Sequence, residues 1–390
     1  MEHFAQTEEK KKKDEHLAPG EVCVHELMAK PVQPDQELTP HVTMIHSRFL
    51  PTAVDSEYEA DGMQGDTYFT VQEGARYAVK VDELKQKRRN TGGYGCVITG
   101  RDLETNAPIA IKFLRPDKQN RVPIGEDVPK ELARSMNERA RLLYREYRTL
   151  RSILNPHVVA ARDRIAFAEV NGVMVPGIVM DRLQPLPRHL LPNEAANLVS
   201  QVAEGLDEMH AQGIVHYDIK PGNIMMENGN RYVITDFGGC YNKNEAMEGP
   251  FTFTEQYADP QVIEENELGA PKQEGDDLGT VDYRKTEANT VLADRADQYA
   301  LALTAYELMY HTDPNHAFTQ IDGQRKLRSG FGVDPEVLAV LRKATSYDRS
   351  ERYPDCKHFA RALADAVEMS QQSERRYTEL PKRLIRWLLG

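Results

Sequence analysis

The sequence predicts an α+β fold whose strands and helices are segregated along the chain. Three observations carry this expectation. From about residue 67 to 181 the apolar residues come mainly in β-branched runs and strand-like alternation. Beyond that point they recur every three or four positions, the spacing of amphipathic helices. No internal repeat interrupts the chain, so strands followed by helices predict separate layers, not an alternating parallel sheet. At 390 residues there is length for one large two-lobed domain with appendages, or for two ordinary domains.

Taken in order, residues 1–66 hold TEEKKKKDEH and then Pro19, Pro31, Pro34, Pro40 and Pro51. Such a stretch buries too little apolar surface to offset its ordering entropy, so a flexible polar arm is expected. Within it HVTMIHSRFL, residues 41–50, is an apolar patch able to dock on the folded part or on a partner. RYAVKV at 76–81 alternates, with Tyr77, Val79 and Val81 on one face. CVITGRD (96–102) and PIAIKFL (108–114) are two further strands, joined by the polar turn LETNA. Leu132, Met136, Ala140, Leu143, Tyr147, Leu150 and Leu154 form one helical stripe. NPHVV returns to extended chain, and RIAFAEV and GIVMDRL read as apolar strands. In the second half Ala195, Leu198, Val199, Val202, Leu206 and Met209 form another stripe, and ADQYALALTAYELMY (296–310) reads as a largely buried helix. The end, 371–390, is an amphipathic basic tail: Leu384, Trp387 and Leu388 share a side, with Lys382, Arg383 and Arg386 nearby. Packing on its own helical half is expected, with docking to a partner as the alternative.

The net charge of −12 argues against a nucleic-acid binder, which needs surplus Lys and Arg to neutralise phosphates. No apolar run approaches the ~18 residues of a transmembrane segment, and because the first thirty residues are polar, with no apolar stretch behind Lys10 to Lys13, no secretory signal of the usual type is expected. Cys23, Cys96, Cys240 and Cys356 contain no C-x-x-C pair, so free thiols in a reducing, cytoplasmic setting are expected.

Four local signals bear on chemistry. NTGGYGCV (90–97) lies between two strands, and Gly92, Gly93 and Gly95 let backbone approach a phosphate closely. IAIK ends at Lys112, seventeen residues after Gly95. A lysine closing an apolar strand needs a carboxylate to hold it, and Glu146 fits at the margin of the helical stripe. Glu131 and Glu138 on the same segment are the competitors, and the distance to NPHVV favours Glu146. GIVHYDIKPGNIMM (213–226) packs Asp218, Lys220 and Asn223 into six residues after an apolar strand. VITDFGG (233–239) sets Asp236 eighteen residues after Asp218. A carboxylate and an amide together suit Mg²⁺, which takes one or two protein oxygens plus substrate phosphates.

In this order the four signals resemble those of the eukaryotic-type (Ser/Thr) protein kinases, over about residues 70–365. TFTEQYADPQ (252–261) resembles the end of an activation segment, Asp297 the buried aspartate of the large C-lobe helix, and Asp348 with Arg352 the late Asp–Arg pattern. The resemblance implies a two-lobed protein-kinase-like fold: a strand-rich N-lobe over 67–181 and a helical C-lobe over 182–370, with an acidic insertion near 262–290. It implies ATP and Mg²⁺ as cofactors and Ser/Thr side chains of proteins as acceptors. It implies roles as well. Lys112, locked by Glu146, would hold the α- and β-phosphates. Gly92, Gly93, Tyr94 and Gly95 would cover them. Asn223 and Asp236 would hold Mg²⁺. Asp218 would accept the hydroxyl proton and Lys220 would steady the γ-phosphate. Met180 would be the gatekeeper and Asp181 to Leu183 the hinge that meets adenine, with Val97, Ala110 and Met225 around the ring. Lys220 within Asp-x-Lys-x-x-Asn resembles serine/threonine kinases.

The chain also departs from the pattern. Asn90 stands at the first glycine, which leaves two later glycines in place. Tyr217 stands where an arginine normally precedes the catalytic aspartate and reads a phosphate on the activation loop, so activity independent of loop phosphorylation is expected. Gln261 stands where a glutamate usually pairs with the arginine matching Arg352, so that charge-assisted bond is expected to be lost and the C-lobe locally weakened, with Glu264 or Glu265 as the alternative carboxylates. Thr252, Thr254 and Tyr241 are candidate autophosphorylation sites. These departures and the appended arm frame the competing reading, a pseudokinase or scaffold that binds nucleotide and partner proteins. The joint presence of Lys112, Glu146, Asp218, Asn223 and Asp236 argues against it. A small-molecule phosphotransferase of related fold would lack the 252–261 pattern.

Overall fold

β-Branched alternation in the first half resolves into antiparallel strands, and the register of those strands positions the first group of candidate residues. The computed structural model describes residues 21–27, 75–80, 95–102, 105–114, 142–170, 173–243, 253–269, 293–321, 324–329 and 333–379. The described residues fall into two compact units. One runs up to Leu154 and includes Val159–Leu183; the other comprises Asn155–Val158 and the residues from Gln184 onward.

In the first unit, β1 (Glu21–Leu27), β2 (Ala75–Lys80), β3 (Gly95–Asp102), β4 (Pro108–Leu114), β5 (Ala161–Val170) and β6 (Val173–Asp181) form a closed antiparallel barrel in the order β1-β2-β3-β4-β6-β5. In β4 the two-residue period sends Ile109 and Ile111 to one face, where both are fully buried. Ala110 and Lys112 take the other. Directly paired residues share a face. Ala110 pairs with Met180, and Lys112 with Val97 and Ile178, so these side chains belong to one surface. Residues 142–152 are helical (α1), with Leu143 and Leu150 buried. The helix stops before Leu154, which is 91% exposed, and Ile153 is buried in its place.

β1 corrects the expectation of a wholly flexible arm over 1–66. EVCVHEL pairs with β2 (Val22 opposite Val79) and with β5 (Leu27 opposite Ile165). Its alternating Val22 and Val24 are strand formers, and the strand covers what would otherwise be two open sheet edges. Averaging composition over 66 residues concealed seven with a consistent period. The 41–50 patch lies outside the described residues.

The second unit is mainly helical. α2 (Pro192–Ala211) starts with Pro at its first position, and the Glu194 carboxylate accepts the Leu191 backbone N–H at 2.8 Å. Its buried stripe contains Ala195, Leu198, Val199, Val202, Leu206 and Met209. β7 (Gln184–Pro185), β9 (Ile224–Glu227) and β10 (Arg231–Ile234) form a small sheet, and β8 (Ile214–Val215) pairs with β11 (Tyr241–Asn242). α3 spans Pro260–Gly269, so the acidic insertion expected from 262 begins inside a helix. α4 (Arg295–Tyr310) is buried on every side from Ala296 to Tyr306, the environment its largely apolar sequence requires, with Asp297, Gln298 and Thr304 as buried polar residues within it. A hairpin of β12 (Phe318–Ile321) and β13 (Gln324–Leu327) follows. α5 (Pro335–Ala344) is capped by Asp334, whose carboxylate accepts the N–H groups of Glu336 and Val337. α6 (Cys356–Glu379) continues into the segment expected to form a separate tail from 371; residues 380–390 lie outside the described residues. No described helix is long and apolar enough to cross a membrane.

Candidate active site

In the first unit Lys112 and Glu146 meet. Lys112 Nζ donates to both Glu146 carboxylate oxygens, at 2.6 and 2.9 Å, and the two side chains are 11% and 5% exposed. A buried charge of either sign alone would be costly, so each holds the other in place. Glu131 and Glu138 lie outside the described residues, as do Gly92, Gly93 and Tyr94. Gly95 opens β3. Val97 is 42% exposed; Ala110 and Met180 are buried. Asp181 is exposed, and its carboxylate accepts from Arg162 at 2.9 Å. Arg162 also donates to the fully buried Asp102 at 2.9 Å, which ties the start of the expected hinge to the barrel wall. Leu183 is half-buried.

In the second unit β8 delivers His216, Tyr217 and Asp218. Asp297, fully buried in the first turn of α4, accepts the N–H of His216 on one oxygen and that of Tyr217 on the other, both at 2.8 Å. His210 bonds the same carboxylate at 2.8 Å. One buried carboxylate thereby fixes the backbone entering the loop, with Tyr217 held at φ +62°. The His216 ring takes up the Asp218 N–H at Nδ1 (3.2 Å) and donates from Nε2 to the Thr235 carbonyl (3.1 Å). This links the Asp218 loop to the Asp236 strand.

Asp218 itself is fully engaged. Oδ1 accepts the Thr254 N–H at 2.9 Å; Oδ2 accepts from Lys220 Nζ at 2.7 Å and Asn223 Nδ2 at 2.8 Å. Asn223 sits in the turn Pro221–Asn223, is 5% exposed, and also donates Nδ2 to the Asp218 carbonyl at 2.8 Å. With its amide nitrogen committed to Asp218, the side-chain oxygen is left as its acceptor. Asp236 follows Thr235 in a left-handed conformation, φ +64°, and is exposed. An amide oxygen and an exposed carboxylate are hard donors of the kind Mg²⁺ takes, so these residues fit the ion. Phe237, buried, meets the His216 ring edge-on at 5.2 Å. Met225 is half-buried on β9.

Three features escaped sequence reasoning. Lys220 Nζ donates to Thr254 Oγ1 at 2.5 Å, so the threonine is joined to the Asp218 loop through both backbone and side chain. Tyr241, a candidate phosphorylation site, is 3% exposed and sits in an apolar cluster, where no kinase can reach it. Third, Asp259 replaces the expected role of Gln261. Its carboxylate accepts from Arg349 at 2.7 Å and from Arg352 at 2.8 and 3.1 Å. The expected loss of that charge-assisted bond is therefore corrected: the carboxylate has moved two residues earlier. The signal available in the sequence was an aspartate directly before Pro260, a helix-capping pair.

A family model described as the protein kinase domain matches residues 90–378, and the chain belongs to that family. It is similar to serine/threonine-protein kinase PknF of Mycobacterium tuberculosis, 28% identical over 71% of this chain and 54% of that protein. It is also similar to PknD of M. tuberculosis, 26% identical over 73% of this chain and 39% of PknD, and to PrkC of Bacillus subtilis, 23% identical over 74% and 41%. The chain therefore spans about half, or less, of the length of these relatives.

Proposed function

We propose that the chain is an ATP-dependent serine/threonine protein kinase acting on protein substrates in the cytoplasm. The observation that carries this reading is the Asp218 network: a carboxylate aimed by Lys220, Asn223 and Thr254 on a loop anchored through Asp297.

In this reading Asp218 orients the acceptor hydroxyl and takes its proton as the bond to phosphorus forms. Lys220 bridges Asp218 and Thr254, and in this reading its ammonium would steady charge on the transferred phosphoryl group. Lys112, fixed by Glu146, neutralises the α- and β-phosphates. Asn223 and Asp236 would hold Mg²⁺, which neutralises phosphate charge when bound. Val97, Ala110 and Met180, on one barrel face, and Met225 would meet the adenine. Gly92 to Gly95 would cover the phosphates. Lys220 within Asp-x-Lys-x-x-Asn, and the similarity to serine/threonine-protein kinases, support Ser/Thr as acceptor.

The test is incubation with ATP, Mg²⁺ and synthetic peptides offering Ser, Thr or Tyr, followed by mass spectrometry. Phosphoserine and phosphothreonine are expected, on the peptides and on the chain itself. ATP–Mg²⁺ binding without transfer to any peptide would favour the scaffold reading.

A further inference from the structure

Tyr217 occupies a costly backbone conformation directly beside Asp218, and its side chain has a distinct environment. The ring is 6% exposed and lies in an apolar cluster with Val215, Tyr241, Val262, Ala293 and Ala296, against which Phe253 packs. The Tyr217 and Tyr241 ring centroids are 6.3 Å apart. These residues come from the loop before Asp218, from β11, from the residue preceding Thr254, from α3 and from the head of α4. The polar and apolar contacts are in register along the chain: Asp218 bonds Thr254, and their immediate neighbours Tyr217 and Phe253 share the cluster.

We propose that Tyr217 and Phe253 are positioning residues, an aromatic clasp that sets residues 253–262 against the Asp218 loop by burial of apolar surface. The proposal rests on the phosphotransferase reading of Asp218. Where a cation at position 217 would need a phosphate to draw the segment in, a buried ring needs none. The left-handed backbone at Tyr217 is held by the Asp297 bond to its N–H, so the ring is directed by the same carboxylate that anchors the loop. Burial is little affected by salt at moderate concentration, so the aromatic contact itself, unlike the Asp259 ion pairs that hold the far end of the segment, does not depend on charge pairing.

The experiment compares the full chain, stripped of phosphate by a phosphatase and checked by intact mass, with Tyr217→Leu, Phe253→Ala and Tyr217→Phe, using one Ser/Thr peptide found to be phosphorylated by the wild type. The stripped wild type is expected to keep its turnover within about twofold. Phe253→Ala and Tyr217→Leu are expected to lower turnover about 10–100-fold and raise the peptide KM, with the KM for ATP unchanged and the melting transition retained. Tyr217→Phe, which keeps the ring, is expected to restore turnover. Phe253 is only partly buried, so its variant remains informative if Tyr217→Leu does not fold. A tenfold fall on phosphatase treatment, or undiminished peptide turnover in the folded variants, overturns the clasp and leaves the kinase reading standing. Absence of transfer by the wild type overturns both.

Discussion

Asp259 and Arg352 form a buried, two-pronged ion pair, at 2.8 and 3.1 Å, and Arg349 joins the same carboxylate at 2.7 Å. Asp259 is 1% exposed, Arg352 3% and Arg349 2%. The carboxylate also accepts the Gln261 N–H at 3.0 Å, which starts α3. One side chain thus ties the end of the 253–262 segment to the late Asp–Arg motif. Burial alone would raise the Asp259 carboxyl; the bonds and charges of Arg352 and Arg349 outweigh it and hold the group below its ordinary value.

Removing this carboxylate leaves two guanidinium groups buried without their counter-charge. We predict that Asp259→Ala destabilises the second unit by ~3–5 kcal/mol, read by urea denaturation. Gln261→Glu should not rescue it, because the arginines are aligned on position 259. Since the folded carboxyl titrates below its unfolded value, the stabilisation is fully present above about pH 4 and is lost as pH falls through the folded value. Asp259→Ala should therefore flatten the acid limb of the stability profile.

Glu146→Gln keeps the size of the side chain but removes the charge that Lys112 meets at 2.6 Å. On the proposed reading, Lys112 would then lose its fixed place at the phosphates. We predict a fall in kcat/KM for ATP of about 10²-fold, the order expected when one electrostatic stabiliser is misplaced. Steady-state kinetics checks this, and Lys112→Met together with Glu146→Gln should cost less than the sum of the two single changes.

Gly205 lies on α2 where the helix approaches the 157–158 segment. A Cβ there would stand 3.0 Å from Ile234 Cδ1 and 3.1 Å from the His157 carbonyl oxygen. The carbonyl is backbone and receives the Ile234 N–H at 2.8 Å, so it cannot yield freely. Alanine would gain ~1 kcal/mol of helix propensity, but overpacking costs ~1–3 kcal/mol. We predict net destabilisation for Gly205→Ala, seen as a lowered Tm.

How much of this was legible in the sequence follows from distance along the chain. The β4 strand carrying Lys112, the α2 stripe and the buried α4 helix are set by local periodicity, and short-range spacing identified Asp218, Lys220 and Asn223 as one loop. The Asp259–Arg352 pair spans 93 residues, and nothing local distinguishes Asp259 from a helix cap. Leu154 satisfied the helical spacing yet lies beyond the end of α1, since period alone does not locate a terminus. β1 was hidden by its polar surroundings, and its pairing with β5 depends on residues more than a hundred positions away. Tyr217 was recognised as a departure, but the apolar cluster that receives its ring is assembled from four distant segments.

Asp218 is the proposed acceptor of the hydroxyl proton, and Asp218→Asn removes that function with the least change of shape. The variant keeps the side-chain volume beside Lys220, Asn223 and Thr254 but abolishes the basic oxygen. Single-turnover transfer to a Ser/Thr peptide should fall by ~10²–10⁴ while ATP–Mg²⁺ binding, followed by calorimetry, stays within about threefold. Transfer at the wild-type rate by the Asp218→Asn chain would contradict the account.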